Sequence, residues 1–426
     1  MCPIPISSPH ATGTGQIEQL SSFAVRYAAE MHLAFVTFFR ERIATRLYSD
    51  WSERERVSLV SKVVIDGITK TAGDWADALE QVTGASNLAL CTMLPFAGTI
   101  ASRRLVTTNR RWCPICLQES AEQGDRGVYE RLLWRLQEVH VCPQHRVALV
   151  EVCPACQKGG QIPFCATARV GCCRHCGAWM GREPTSDVTA PVSSYEMFVA
   201  NTCGDLMALP SSLAAGAKVL PGMAVVQALR DVFFEGNGSA MARSLGELPG
   251  QVNFYANGEF AAPLHFFLRA SHHTGATMEE MFVTHCFTDR SPGQGREPYQ
   301  LRRAMPRRVR EQAEIERMLT DALAEHPPRS VRAIAIDLNM EPVTLWRRSP
   351  DLCSQVSKRN SAHVAAIAAA SRSAFEANVR VVLAEFKRRG RHPSEPELRG
   401  ALQDPGCFLN VWKRSVIRAE MTKIEW

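Results

Sequence analysis

A dense cluster of cysteines is the part of this 426-residue chain best suited to chemistry. Nine of its fifteen cysteines lie between Cys113 and Cys176. Most of them form pairs separated by two residues, a spacing that places two soft ligands on one side of a tetrahedral zinc ion. The predicted sites are Cys113, Cys116, Cys142 and His145 for the first ion, and Cys153, Cys156, Cys173 and Cys176 for the second. Because four ligands leave no open coordination position, both zinc ions are predicted to stabilise structure rather than to activate water.

Disulfide bonds are the main alternative for these cysteines. The first twenty residues are polar and small and do not resemble a secretory signal, so we expect a reducing cytosol, where disulfides are rare. Within the ligand sets, Cys172 could replace Cys173, and His140 could compete with His145. Only Cys173 keeps the two-residue gap before Cys176, and Cys165 is interpreted as a spare buried thiol.

The sequence lacks the common catalytic motifs. It contains no GxxxxGK[ST] phosphate loop, no GxSxG nucleophile turn and no HExxH metal-binding helix. Acidic residues that could pair for phosphoryl transfer, Asp66 with Asp74 or Asp205 with Asp231, lie in segments that resemble exposed helix faces. We therefore predict that the protein is not an enzyme.

Composition and charge indicate a soluble protein with a basic C-terminal third. Hydrophobic residues make up 46% of the chain and charged residues 22%, and no apolar run approaches the roughly 20 residues needed to cross a membrane. Residues 301–426 carry 23 Lys and Arg against 15 Asp and Glu. Such a surplus is typical of a domain that contacts nucleic-acid phosphates, although a basic surface without a partner is the alternative.

The elements that position the cysteines are predicted to be mostly helical. Phe23, Tyr27, Met31 and Phe35 recur at four-residue steps, as expected for one apolar helix stripe, and a later helix is predicted to end at Gly84. Between the hooks of the first site, VYERLLWRLQEV is predicted to be a helix with an apolar face, formed by Tyr129, Leu132, Leu133 and Leu136.

Three helix-turn-helix-like units are predicted after the cysteine module. The first has Ala242–Leu245 at the end of one helix, a left-handed stop at Gly246 and a second helix over Pro249–Tyr255. The second pairs Val331–Leu338 with Pro342–Arg348 through a turn at Asn339, and the third begins at a capping box of Ser394 and Glu397 and turns at Asp404-Pro405-Gly406. The candidate DNA contacts in these units are Gln251, Asn253, Arg347, Arg348, Lys413, Arg414 and Arg418. A protein-binding or purely structural role of the first unit is the open alternative, since its second helix carries no Arg or Lys.

Together these patterns predict a mainly α, multidomain protein. The predicted segments are a disordered tail (1–20), an N-terminal helical domain (21–109), a double zinc-finger or zinc-ribbon module (110–180), a linker with one helix (181–222), a Cro-like helical domain (223–290), a basic linker (291–312) and a basic C-terminal domain of helix-turn-helix type (313–426).

The cysteine module and its flanks resemble the TniQ family of transposition target selectors. The resemblance is carried by RWCPICLQES, by Tyr129 and Trp134 before HVCPQHRVALVEVCPAC, and by CRHCGAW, and it extends upstream to SSFAVRYAAEMHL and ALEQVTGASNLALCTMLP. It implies the eight zinc ligands given above and a non-catalytic adaptor for a mobile element. The 25-residue gap inside the first finger is a departure from the family pattern.

The resemblance also implies a set of partners. The adaptor would bind double-stranded DNA and recruit an AAA+ ATPase regulator, which passes the insertion site to a DDE transposase. The alternative is a bridging adaptor that docks on a guide-RNA effector complex, with a homodimer as a further open arrangement. The expected location is the bacterial cytoplasm, at the nucleoid.

Overall fold

The computed structural model describes most of the chain. The described residues are 8–47, 63–124, 127–165, 168–183, 192–213, 219–287, 312–338, 340–404, 406–408 and 410–424. They are mainly helical, as the sequence predicts. No helix among them combines the length and the apolar character required to cross a bilayer.

The described residues fall into two compact units, the first comprising Met1–Val152 and Gly159–Tyr299, and the second beginning at Gln300. The loop Cys153–Lys158, which clusters with the second unit, is described with the first because its cysteines share a ligand group with Cys173 and Cys176. The first unit contains α1 (Leu20–Glu30), α2 (Phe35–Phe38), α3 (Ala44–Leu47), α4 (Lys70–Thr83), α5 (Pro114–Glu122), β1 (Val141–Cys142), β2 (Val147–Ala148), α6 (Ser194–Ser212), α7 (Gly222–Phe233), α8 (Gly238–Leu245), α9 (Pro249–Ala256) and α10 (Leu264–Thr274). The second contains α11 (Gln312–Ala324), α12 (Val331–Asp337), α13 (Pro342–Arg348), α14 (Pro350–Arg388), α15 (Glu395–Ala401) and α16 (Val411–Thr422). Short helical turns occupy Phe39–Ile43, Leu88–Cys91, Leu94–Phe96, Leu132–Arg135 and Glu280–Thr284.

The N-terminal helix is shorter than the apolar stripe predicts. Helix α1 ends at Glu30, and His32 adopts a left-handed conformation with φ of 57°. The amides of His32 and Leu33 donate to Ala29 O and Ala28 O, a pattern that terminates a helix. A single helix through Phe35 is therefore wrong, whereas α4 does stop at Gly84, whose φ is 73°.

Part of the predicted tail is an ordered element of the first unit. Residues 1–7 lie outside the described residues, but Ile17 and Glu18 are fully buried. Glu18 accepts hydrogen bonds from Arg26 Nε at 3.0 Å and from Ser22 Oγ at 2.9 Å. Burial of a carboxylate is favourable only when partners in a fixed structure bond to it. The prediction of a disordered segment that reaches residue 20 is therefore wrong.

The segment VYERLLWRLQEV, residues 128–139, does not form the predicted helix. Apart from the turn Leu132–Arg135, its backbone forms hydrogen bonds with segments that are distant in sequence. Leu132 N donates to Ile17 O, and Gln137 N donates to Leu105 O. Residues 130–136 are buried on every side rather than along one stripe. The helix prediction failed because a hydrophobic pattern identifies a helix only when one face is buried and the other is exposed, and this segment has no exposed face.

Asp66 is a structural residue of the core, which corrects its interpretation as part of an exposed face. Its side chain is completely buried and accepts hydrogen bonds from Ser21 N and Ser21 Oγ, both at 2.8 Å, and from Arg135 Nε at 3.0 Å. Ser21 N is one of the unpaired donors at the start of α1, so Asp66 caps that helix. Burial raises the pKa of Asp66, and Arg135 opposes that rise.

The predicted Cro-like segment packs inside the first unit. Ala101 N donates to Ala262 O at 2.9 Å, Thr99 Oγ1 donates to Leu220 O at 2.9 Å, and the rings of Phe96 and Phe282 lie 6.3 Å apart. Helices α8 and α9 have nearly the predicted bounds, and Gly246 is left-handed with φ of 68°.

The second unit contains two separate hydrophobic cores. The first core joins α11, α12, α13 and the start of α14 around Ile334, Leu345 and Val356. The second joins the end of α14 to α15 and α16 around Leu383, Leu398 and Ile417. The predicted capping box of Ser394 and Glu397 is present, whereas the predicted turn residues Asn339 and Pro405 lie outside the described residues.

Candidate metal centres

The first candidate centre brings together Cys113, Cys116, Cys142 and His145. Cys116 Sγ lies 3.5 Å from Cys142 Sγ and 3.2 Å from His145 Nδ1, and Cys113 Sγ and Cys142 Sγ lie 3.5 and 3.6 Å from that nitrogen. In a tetrahedral site with zinc–sulfur bonds of about 2.3 Å and zinc–nitrogen bonds of about 2.0 Å, ligand atoms are separated by about 3.5 to 3.8 Å. The three sulfurs and the Nδ1 nitrogen therefore fit one zinc ion.

Two different local structures present these ligands. Cys113 immediately precedes α5, Pro114 is its first residue, and Cys116 lies in its first turn. A helix N-terminus favours anionic groups, so this position stabilises thiolates. Cys142 and His145 lie on the tight turn between β1 and β2, which pair in antiparallel register with Cys142 opposite Val147.

Glu119 supports the first centre and is absent from the sequence-based ligand set. Its Oε1 atom lies 2.9 Å from His145 Nε2. A carboxylate on the second ring nitrogen fixes the tautomer that leaves Nδ1 free to bind metal. The sequence signal was available, since Glu119 follows Cys116 by three residues and thus lies on the same face of α5.

Protonation in the first centre is strongly divided among its thiols. Hydrogen bonds from Cys113 and Cys116 lower the pKa of Cys142 to about 2. The hydrogen bond with Cys113 raises the pKa of Cys116 far above its ordinary range. Metal binding requires these thiols as thiolates, so a bound dication would displace their protons.

The second candidate centre brings together Cys153, Cys156, Cys173 and Cys176, whose sulfur atoms all lie within 4.8 Å of one another. Both cysteine pairs form the same turn. Cys153 O accepts from Gln157 N and Cys173 O accepts from Gly177 N, each at 2.9 Å, and both donors are left-handed, with φ of 55° and 71°.

The Cys142–His145 turn repeats this design. Arg146, with φ of 54°, donates from its amide to Cys142 O at 2.9 Å. Three of the four ligand pairs are therefore held by one backbone motif, in which the residue after the second ligand closes the turn. The donor set of four sulfurs in the second centre again suits zinc.

Gln161 and Trp179 tie the two centres to their surroundings. Gln161 Nε2 donates to Cys173 Sγ at 3.3 Å, and Gln161 Oε1 accepts from Arg174 N at 3.0 Å. Trp179 Nε1 donates to Gln118 Oε1 at 3.0 Å, which connects the second centre to α5. Neither residue has a spacing that would identify it from the sequence.

Replacing Gly171 with alanine is expected to destabilise the second centre. Gly171 has φ of 71°, and an added Cβ would lie 2.2 Å from Cζ3 of Trp179. Left-handed strain and overpacking together predict a loss of about 2 kcal/mol or more in the free energy of unfolding, measured by denaturant titration. The matched control is Gly159→Ala, whose Cβ would meet nothing closer than 3.9 Å. Equal stabilities of the two variants would contradict the packing of Trp179 on Gly171.

The residues that competed for ligand positions lie outside both groups. His140 Nδ1 contacts Arg111 NH1 at 3.3 Å, and the carbonyl of Cys172 accepts from Arg110 NH1 at 3.0 Å. Cys165 belongs to neither group and is half-buried rather than buried. The two-residue gap thus predicts the same four residues that the structure brings together in each group.

The candidate DNA contacts lie in varied environments. Gln251, Asn253, Arg347 and Arg418 are exposed, and Arg348 and Arg414 are half-buried. Lys413 differs from these, because its side chain is buried and its Nζ donates to Asp404 at 2.6 Å. It also lies 5.1 Å from the ring centre of Phe375. Lys413 therefore stabilises the second core of its unit, and its buried side chain does not form part of a DNA-contacting surface.

Helix α9, the second helix of the first predicted unit, and the residues that flank it expose apolar side chains. Leu248, Phe254 and Phe260 are 67%, 42% and 62% exposed, and the two phenylalanine rings meet edge to face at 5.7 Å. An apolar cluster of this kind on a surface is more typical of a protein-binding site than of a phosphate-binding one.

Comparison with known proteins gives a match to a protein family. Residues 9–149 match the family model described as TniQ. The matched range contains α1, α4, α5 and every ligand of the first centre, and it ends before Cys153. No curated protein matches the chain.

Proposed function

We propose that this chain, whose residues 9–149 match the TniQ family model, is a non-catalytic target-site selector of a transposon. In this function it binds double-stranded DNA, recruits an AAA+ ATPase regulator and thereby directs a DDE transposase to the insertion site. The observation that carries the proposal is the family match across the N-terminal helices and the first metal centre.

The metal centres support a scaffolding role in this function. Cys113, Cys116, Cys142 and His145 would hold one zinc ion, and Cys153, Cys156, Cys173 and Cys176 would hold the other. Bound zinc supplies a charge that stabilises thiolates and cross-links the chain, and four protein ligands leave no position for substrate. The N-terminal helices, tied to this scaffold through Asp66 and Arg135, are the surface we assign to the ATPase.

The basic second unit supports DNA binding. Lys and Arg outnumber Asp and Glu in residues 301–426, and phosphate contacts by such residues supply the main part of affinity for DNA. Arg347 on α13 and Arg414 and Arg418 on α16 have at least part of their side chains accessible to solvent. They are the contacts we propose for this unit.

Removing two of these charges is expected to weaken binding and reduce its salt dependence. The double variant Arg414→Ala/Arg418→Ala should lower the slope of log affinity against log salt concentration by about 2, since each lost phosphate contact contributes about 0.9. The measurement is a gel shift or anisotropy titration of the full chain on duplex DNA between about 50 and 200 mM salt. The matched control is Arg103→Ala/Arg104→Ala, which also removes two charges, because both arginines are exposed and belong to the first unit rather than to the basic second unit. A slope that the double variant leaves unchanged would refute these contacts.

A bridging adaptor is the second candidate, and the exposed apolar side chains of Leu248, Phe254 and Phe260 favour it. In that function the protein docks on a guide-RNA effector complex and has little DNA specificity of its own. The gel shift separates the candidates. Specific binding by the purified chain supports the autonomous selector, and specific binding that requires the effector complex supports the adaptor.

A further inference from the structure

Helix α14 is long for a domain of this size and carries a core at each end. It runs for 39 residues from Pro350 to Arg388. Its first turns supply Cys353 and Val356 to the first core of the second unit, and its last turns supply Val379 and Leu383 to the second core. The segment between Val356 and Phe375, defined here as the spacer, belongs to neither core.

The composition of the spacer allows it to remain helical without a core of its own. It contains no proline or glycine, and six of the ten residues from Ser361 to Ala370 are alanine, the residue with the highest helix propensity. Its charged residues are Lys358, Arg359 and Arg372, and it has no Asp or Glu. A helix with this composition can approach DNA phosphates without charge repulsion.

The length of α14 fixes the separation of the two cores. About 27 residues separate the turn at Cys353–Val356 from the turn at Val379–Leu383, which at 1.5 Å per residue corresponds to about 40 Å. One turn of DNA spans about 34 to 36 Å. Each end also carries accessible arginines, Arg347 on α13 at one end and Arg418 on α16 at the other.

We propose that α14 is a rigid spacer that holds two DNA-contacting units at a fixed separation, so that the protein reads two duplex segments a constant number of base pairs apart. The first contacting unit is α11–α13 with the start of α14, and the second is the end of α14 with α15 and α16. This inference rests on the proposed function, because it requires the second unit to bind duplex DNA.

The test is selection of bound duplexes from a library with about 50 random base pairs, using the full chain. The wild-type protein is expected to enrich two short sequence motifs at one preferred separation. A variant with an alanine-rich insertion of seven residues after Ala369 adds about 10 Å and nearly two complete helical turns, so the two units keep their relative rotation. It should bind the wild-type duplex at least about 10-fold more weakly, because both contacts can no longer form together, and it should select a different separation.

Two further variants keep the result interpretable. Ala366→Pro should interrupt the spacer helix and broaden the distribution of selected separations, while the motifs themselves persist. Ala366→Ser, at the same exposed position, should leave the separation unchanged. Circular dichroism and thermal melting of each variant establish that both cores remain folded.

The outcomes distinguish the spacer from the proposed function. An insertion variant that selects the wild-type separation overturns the spacer. Enrichment of one contiguous motif by the wild-type protein also overturns it and leaves the target selector in place. No enrichment of any sequence by the wild-type protein overturns both.

Discussion

Replacing Cys116 with serine is expected to release the zinc ion proposed for the first centre and to unfold the region around that centre. Cys116 is fully buried and lies 3.5 Å or less from both Cys142 Sγ and His145 Nδ1. A hydroxyl is a poor substitute for a thiolate, and structural zinc sites contribute roughly 10 kcal/mol or more of apparent binding energy. We therefore expect the zinc content of the purified protein to fall by about half and the free energy of unfolding to fall by several kcal/mol.

The matched control for this variant is Cys165→Ser. Cys165 lies in the same module but belongs to neither ligand group, so its replacement should leave the zinc content unchanged. Zinc is measured by elemental analysis and folding by circular dichroism before and after chelation. If the two serine variants lose the same amount of zinc, the assignment of the ligands is wrong.

Replacing Asp66 with alanine is expected to have the second largest effect. The change leaves the Arg135 guanidinium, which is 1% exposed, without its buried carboxylate, and it removes both hydrogen bonds from Ser21 at the start of α1. Removing one partner of a buried ion pair typically costs about 3 to 5 kcal/mol, because the other charge stays buried. We expect a loss of stability in this range by chemical denaturation.

Asp74→Ala provides the control for the same chemical change at an accessible site. Asp74 pairs with Lys70 one helical turn away, and both side chains are largely exposed, at 42% and 88%. Surface pairs of this kind contribute about 0.5 kcal/mol or less. A loss at Asp66 no larger than that at Asp74 would show that the buried ion pair does not stabilise the fold.

The features that the sequence predicted are those encoded over a few neighbouring residues. The ligand pairs span four residues each, and three of the four pairs are closed by the same hydrogen-bonded turn, so their spacing carries the geometry directly. The ends of α4 and α8 were predicted for the same reason, because Gly84 and Gly246 adopt the left-handed conformation that glycine accepts most readily.

The features that the sequence did not predict depend on contacts between distant residues. Asp66 and Arg135 are 69 positions apart, and a buried aspartate has no local pattern that separates it from an exposed one. The segment from Val128 to Val139 has enough apolar residues for a helix, but its backbone bonds to Ile17 and Leu105 instead. Lys413 similarly lies on a helix with exposed arginines, and only packing against Asp404 and Phe375 gives it a buried position.

The environment of Glu130 has a consequence for how this protein can be divided. Its carboxylate accepts from Gln19 Nε2 at 2.9 Å, from Arg110 and from Gly171 N at 3.3 Å, and its amide donates to Ser22 Oγ at 3.0 Å. Expressing residues 110–180 as a separate fragment would remove the partners of Glu130 at the start of α1, Gln19 and Ser22. A fragment that keeps these contacts must therefore include the N-terminal residues. It cannot begin at the first cysteine.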